Sequence, residues 1–339
     1  MSAPRRLAAV LIALGAVLVA TMGAALFVGS AGVAPGSVVA ALLGRADPEP
    51  AARLVVLDLR LPRILAAALA GGALAVAGVG FQALTRNPLA EPSVLGISSG
   101  AAFGVVSAQL FGVGTGLFEA FGLTAFAFAG SAVAGGIVYV IAAGAGGLAV
   151  QTLLLAGVIV GIFFSSAIAV LISIVDTNRL GAVIQWLLGN VAPIPAAALA
   201  VFALVSAAGF ALVLASARRL NLFALGEDAA RELGVDALGL KRAVFGGAAL
   251  LVSAVVAFAG PIGFVGLIVP HALRMLLGPD NRVLVPAAAL GGAIFLLVGD
   301  TLARCIVAPA ELSVGVLTAF CGAPFFVFLL RARGPRVLS

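Results

Sequence analysis

The chain has 339 residues, of which 63% are hydrophobic and only 9% charged, and it carries a net charge of +6. Soluble domains carry about 25% charged residues, and a mean hydropathy of +1.27 sets this chain apart from them. A nucleic-acid partner is excluded by the same reading, because 18 of the 19 basic residues are arginines scattered at the ends of apolar runs rather than gathered on one solvated face.

The uncharged runs decide between a membrane and a large core. Residues 120–175 contain no Asp, Glu, Lys or Arg over 56 positions, whereas a helix crossing a bilayer needs about 20. A spanning β-barrel would alternate apolar and polar residues in short strands, and these runs are continuously apolar. The expected fold class is all-α, a polytopic bundle of about ten transmembrane helices in a single domain covering residues 1–339.

In chain order, the first element is the apolar run 7–29 behind MSAPRR. It exceeds the roughly 7 to 15 residues of a cleaved leader's apolar core. We expect a retained helix with Arg5 and Arg6 holding the N-terminus in the cytoplasm. Residues 30–53, rich in Pro and small side chains, predict an outer loop with a short helix. Spans follow near 55–84, 95–110, 121–143 and 149–172. Residues 176–195, DTNRLGAVIQWLLGNVAPIP, are too interrupted to cross and predict an interfacial helix, with Trp186 an anchor at headgroup level.

After a span at 195–216 comes the longest polar segment, 218–241. Gly226 and Gly234 bracket a turn or two of helix, and Glu227 and Arg231 stand four apart, as an exposed helical pair would. So short a helix is unstable alone and needs something packed against it. The last spans fall near 242–260, 263–278, 283–305 and 311–330. Starting inside, this order places 13 basic residues in the cytoplasm and six outside, as the positive-inside rule asks, with both termini cytoplasmic. GGALAVAG (71–78) and GGAALLVSA (246–254) hint at an inverted duplication, each preceding a proline-bearing break.

Enzyme chemistry has no support. There is no GxxxxGK[ST] phosphate loop, and Lys241 is the sole lysine. His271 is alone, a packing residue at a helix kink, and Cys305 and Cys321 lack metal or redox spacing. No catalytic residue, cofactor or metal is expected. Ion-coupled carriers hold carboxylates near the bilayer midplane; here Asp58, Glu91, Glu119, Asp176, Asp280, Asp300 and Glu311 all fall near span ends or in loops.

Five stretches in order carry a resemblance: RLPR (60–63), RNPLAEPSVLGISSGAAFG (86–104), LGEDAARELGV (225–235), GPIGFVGLIVPHALR (260–274) and ELSVGVLTAFCGAPFFVFLL (311–330). Together they resemble the FecCD family, the permease subunits of ATP-binding-cassette importers for iron-siderophores, haem and cobalamin. The resemblance implies the type II importer permease fold, with ten helices per subunit in a bacterial cytoplasmic membrane. It also implies a second permease copy or homologous permease, two cytoplasmic ATP-binding subunits, a periplasmic or lipid-anchored substrate-binding protein and surrounding membrane lipid. Ferric siderophore is the expected ligand, with haem and then cobalamin as alternatives.

Site residues carry over by position. Leu225, Gly226, Glu227, Ala230, Arg231, Leu233 and Gly234 match the segment that couples to the ATPase. Asn87 and Leu89 match an inner gate, with Val150 and Gln151 as its second layer. Pro88 and Pro92 break the helix there, and Gly96, Gly100 and Gly104 let the next helix pack closely. Arg60, Arg63 and Arg304 match arginines that meet glutamates of the binding protein, a pairing that guanidinium suits because its fork donates two parallel bonds. The plainer alternatives are a well-made turn at 87–92, and interface anchoring or an Asp300–Arg304 pair at i, i+4 outside. The competing class is an ion-coupled carrier or channel that needs no nucleotide.

Overall fold

The computed structural model describes residues 3–45, 50–111, 117–144, 147–174, 177–308 and 310–333. Asp176, Arg336 and the 46–49 part of the first loop lie outside the described residues. Among the described residues the regular structure is helical, apart from a two-residue antiparallel pairing of Ala143–Gly144 with Gly147–Leu148. Helices α1 (Ala3–Phe27), α2 (Pro35–Leu42) and α3 (Pro50–Arg53) are followed by a π-helical stretch, Leu54–Arg60, that runs straight into α4 (Leu61–Thr85). A 3₁₀ turn, Pro92–Leu95, precedes α5 (Ile97–Phe111), and α6 (Leu117–Ala142), α7 (Val150–Ser173) and α8 (Thr177–Leu187) follow. The second half comprises α9 (Ala196–Phe223), α10 (Glu227–Glu232), α11 (Ala237–Ala259), α12 (Val265–Leu277), α13 (Asn281–Cys305) and α14 (Val314–Arg333).

Among the described residues, seven helices are long and apolar enough to cross a membrane, and Ile97–Leu110, Val265–Leu277 and Val314–Val327 are shorter apolar helices. All ten coincide with expected spans. The short ones follow breaks. α12 has 13 residues, roughly 20 Å of helix against a hydrocarbon core of about 30 Å, so irregular backbone must sit at membrane depth. Such backbone is tolerated only where protein covers it. Here Asn190 N–H donates to the Ala259 carbonyl at 2.8 Å and Gly315 N–H to the Gly189 carbonyl at 2.9 Å. Gly189 and Gly260 take positive φ, 69° and 70°, to make the approach. Trp186 lies in this region, half-buried and packed on the cluster of Ala102, Val106, Ile168 and Val183.

The core centres on α4, whose spanning window is 83% buried, whereas that of α1 is 11% buried. Small residues permit this. A Cβ on Gly71 would overlap the Gly292 carbonyl, and one on Gly72 would come within 2.8 Å of the Ala289 carbonyl, so α4 and α13 meet nearly backbone to backbone. Gly100 and Gly104 give α5 the same closeness to α6 at Gly130 and Phe126. α9 extends past the expected end at 216 because its 28 residues, roughly 42 Å of helix, outrun the hydrocarbon. α4 and α11, which hold the two Gly/Ala segments, pack on each other. Gly80, near the end of α4, faces Val244, near the start of α11; the two helices therefore run in opposite directions.

Candidate functional sites at the two ends of the bundle

At one end, α4 begins and α13 finishes. Arg60, Arg63 and Arg304 are all buried there, 4%, 7% and 3% exposed, and Asp300 is fully buried. Arg63 is the hub. Its Nη2 lies 2.9 Å from Asp300 Oδ1 and its Nη1 2.7 Å from Glu311 Oε2. Ser30 Oγ donates to the other Glu311 oxygen at 3.0 Å. Arg304 Nε stands 3.2 Å from Asp300 Oδ2 but is not aligned as a hydrogen bond, so this i, i+4 contact is one of charge. Arg304 Nη2 also donates to Thr301 at 3.3 Å. Arg60 donates to the carbonyls of Leu26 and Ala31, closing the end of α1 over α4. The carboxyl of Glu311 is raised by burial, but the hydrogen bond and charge of Arg63, with Ser30, outweigh this and hold it below its usual value. A cavity of about 240 Å³ remains among the three arginines, Glu311 and Gly29.

The three arginines expected outside are thus brought together, and the structure spends them on internal partners in the conformation it describes. The internal Asp300–Arg304 pair is present.

At the other end, three bends meet. Arg86 ends α4 in the left-handed conformation, φ 52°, and Asn87 N–H donates to the Gln82 carbonyl at 3.1 Å. Asn87 is exposed, and its Oδ1 accepts the Leu89 N–H at 2.9 Å, a local turn that Pro88 and Pro92 stiffen. Leu89 is half-buried. Val150, half-buried, and Gln151, exposed, open α7. The two pairs sit on separate bends, and Asn87 spends its side-chain oxygen locally.

α10 lies between Gly226, φ 118°, and Gly234, φ 81°. Ala230 is its fully buried contact, while Leu225 and Leu233 beside it are 68% and 57% exposed. Glu227 accepts from Arg231 Nη2 at 2.7 Å and from Lys241 Nζ at 2.8 Å, and its second oxygen lies 2.7 Å from the same Nζ. Burial raises the Glu227 carboxyl, but the hydrogen bond and charge of Lys241 and of Arg231 prevail and hold it below its usual value. Next to this segment, Asn221 at the end of α9 donates to Asp280 at 2.6 Å and accepts from Asn281 N–H at 2.8 Å, tying α9 to the start of α13. Asp280 caps α13, and its carboxyl falls to about 2, chiefly through the hydrogen bond from Arg282.

Three contributors escaped the sequence reading. Glu91 Oε1 accepts the N–H of Phe264 at 2.6 Å, so the break before α5 holds the break before α12, where Phe264 sits at φ 68°. Gln82 Nε2 lies 3.4 Å from the Gly266 carbonyl, which Pro270 cannot serve because it lacks an N–H. Lys241 pairs with Glu227 across fourteen residues. A lone carboxylate ahead of Pro92 and a lone lysine among arginines were the available signals.

Neither end assembles a nucleophile, an acid–base pair or, among the described residues, a group of three or more metal-ligating side chains. A polytopic helical bundle with breaks in its shorter helices and most of its ion pairs at its two ends fits the architecture of a membrane permease. Residues 17–332 match the FecCD transport family, and the chain belongs to that family. It is 41% identical over 301 residues to the cobalamin import system permease protein BtuC of Halobacterium salinarum, covering 86% of this chain and 77% of that one. It is 43% identical over 284 residues to the hemin transport system permease protein HmuU of Yersinia pestis, covering 83% and 84%. Among solved structures it resembles an inward-facing conformation of a putative metal-chelate type ABC transporter, with a TM-score of 0.81 and 32% identity, covering 96% of this chain and 99% of the other. The chain is a multi-pass membrane permease of the ABC importer class, and not itself an enzyme.

Proposed function

We propose that this permease carries a bulky metal chelate across a bacterial cytoplasmic membrane, driven by ATP-binding subunits that grip the α10 end. The carrying observation is the FecCD match over residues 17–332, joined to relatives named for a corrinoid and a porphyrin and a structural neighbour titled as metal-chelate type. Ferric siderophore is the ligand we put first, with haem and cobalamin as alternatives of the same chemical kind. The α10 end faces the cytoplasm, as do both termini.

In this reading Leu225, Gly226, Glu227, Ala230, Arg231, Leu233 and Gly234 form the coupling site. Two exposed leucines flanking a helix of six residues support it, since so short an element needs a partner to be rigid. Asn87 and Leu89, with Val150 and Gln151, form the inner gate. A binding protein docks at the opposite end, its carboxylates entering the cavity among Arg60, Arg63 and Arg304 in exchange for Asp300 and Glu311. A second copy or homologous permease completes the pathway.

The test is reconstitution in liposomes with the ATP-binding subunits and binding protein from the same gene cluster. Ferric trihydroxamate, haemin and cyanocobalamin are offered in turn. Import of one class, strictly dependent on ATP, is expected. Uptake by vesicles holding this chain alone would instead establish the ion-coupled carrier or channel.

A further inference from the structure

We infer that Lys241 is a positioning residue of the coupling site: its ion pair with Glu227 locks α10 to α11, so that movement imposed on α10 is passed into the membrane instead of being absorbed by hinging at Gly226 and Gly234. This rests on the coupling role proposed above for the 225–234 segment and assigns the side chain that makes that role mechanically effective.

Four observations carry it. First, α10 is joined to its neighbours at Gly226 and Gly234, both at positive φ, where backbone freedom is greatest. Left to itself, a six-residue helix so bracketed would swivel. Second, its fixings are few. Ala230 supplies a single buried methyl, and Glu227 supplies the polar tie, with Lys241 Nζ within 2.8 Å of both its oxygens. Third, the tie is asymmetric. The Glu227 side chain is 28% exposed and Arg231 57%, whereas Lys241 is 6% exposed, so the lysine is the inner, desolvated partner. Its ammonium also stands 6.0 Å from the centroid of Phe223, the last residue of α9. Lys241 thus ties α10 to its own α11, close to the last residue of α9. Fourth, α11 leads on to Gly260 and the Phe264 break that Glu91 holds. A push received at Glu227 therefore reaches both breaks at membrane depth through one continuous helix.

The choice of residue fits the task. An ammonium is a compact charge that can sit between two carboxylate oxygens, whereas guanidinium needs planar room for its fork. In a chain that otherwise uses arginine, the one lysine stands where three helices leave space for a point charge.

The experiment uses the complete transporter in proteoliposomes, with whichever of ferric trihydroxamate, haemin and cyanocobalamin it imports as the probe. K241M is expected to raise the ATP hydrolysed per chelate imported about tenfold, the size of an ordinary coupling term. K241R is expected to restore the ratio in part, and the exchange E227K/K241E to recover more than either single variant. A purely structural lysine would lower yield and thermal stability while leaving the ratio of ATP to chelate unchanged. That result, or a double exchange no better than its singles, overturns the inference. Should K241M fail to assemble, the paired comparison of E227K/K241E with E227Q supplies the same reading. R231E separates the two levels: undiminished ATP-binding-subunit association in R231E sinks the coupling site itself, whereas weakened association with a normal ratio in K241M sinks only the role of the lysine.

Discussion

The two ends of the bundle use the same side chains in opposite ways. Around Arg63 the charges, Glu311 apart, are buried, and they are knitted across α4, α13 and the segment before α14, with partners 237 and 248 residues away. Around Glu227 one charge, Lys241, is buried on α11, and the other two are partly exposed on a short helix that two glycines isolate. One arrangement ties together elements far apart in the chain, and the other ties α10 only to the start of α11. A transporter moved from one side needs both: a rigid frame at the far end and a lever at the near end. Asp300 is roughly 29 Å along α13 from its start, so α13 itself spans the distance between frame and lever, held at its lower end by Asn221 and Asp280.

That contrast can be broken deliberately. The largest effect is expected from D300A, which leaves Arg63 and Arg304 buried without their shared carboxylate. Removing one partner of a buried ion pair costs about 3–5 kcal/mol, and thermal unfolding in detergent should show it as a large drop in Tm. Next comes G292A, whose new methyl would overlap the Gly71 carbonyl; overpacking of this kind costs about 1–3 kcal/mol. If G292A unfolds at the wild-type temperature, α4 and α13 are not in backbone contact.

Acid sharpens the comparison further. Asp280, Glu227 and Glu311 have carboxyls held below their usual values. Their contributions are therefore present above those usual values and lost as the pH falls through the lowered ones, for Asp280 from 3.8 toward about 2. D280N should flatten this acid limb of Tm against pH. The smallest effect is R231A: with its side chain 57% exposed, the pair with Glu227 is worth about 0.5 kcal/mol or less, so Tm should hardly move although subunit association does.

Much of this was legible in the sequence. Spans were readable because uncharged runs of bilayer length admit one physical answer, and the short α10 was readable from Gly226, Glu227 and Arg231. The bend at 86–96 was legible from its prolines. Its partner was not, because the Glu91–Phe264 bond joins residues 173 apart, and Phe264 takes a left-handed conformation that a sequence reader assigns to glycine. The burial of Arg60, Arg63 and Arg304 was hidden for a related reason. An arginine at a span end looks like an interface anchor unless the reader knows that Asp300 and Glu311 fold back onto it.

The central claim, that the α10 end is the cytoplasmic handle of a motor, is tested most directly by labelling. D228C, made on the exposed face of α10 in a C305S/C321S background, is treated with a membrane-impermeant maleimide in right-side-out and inverted vesicles. The account predicts modification in inverted vesicles alone, and protection when the ATP-binding subunits are co-expressed. Modification from the outer face, or none of that protection, would contradict it.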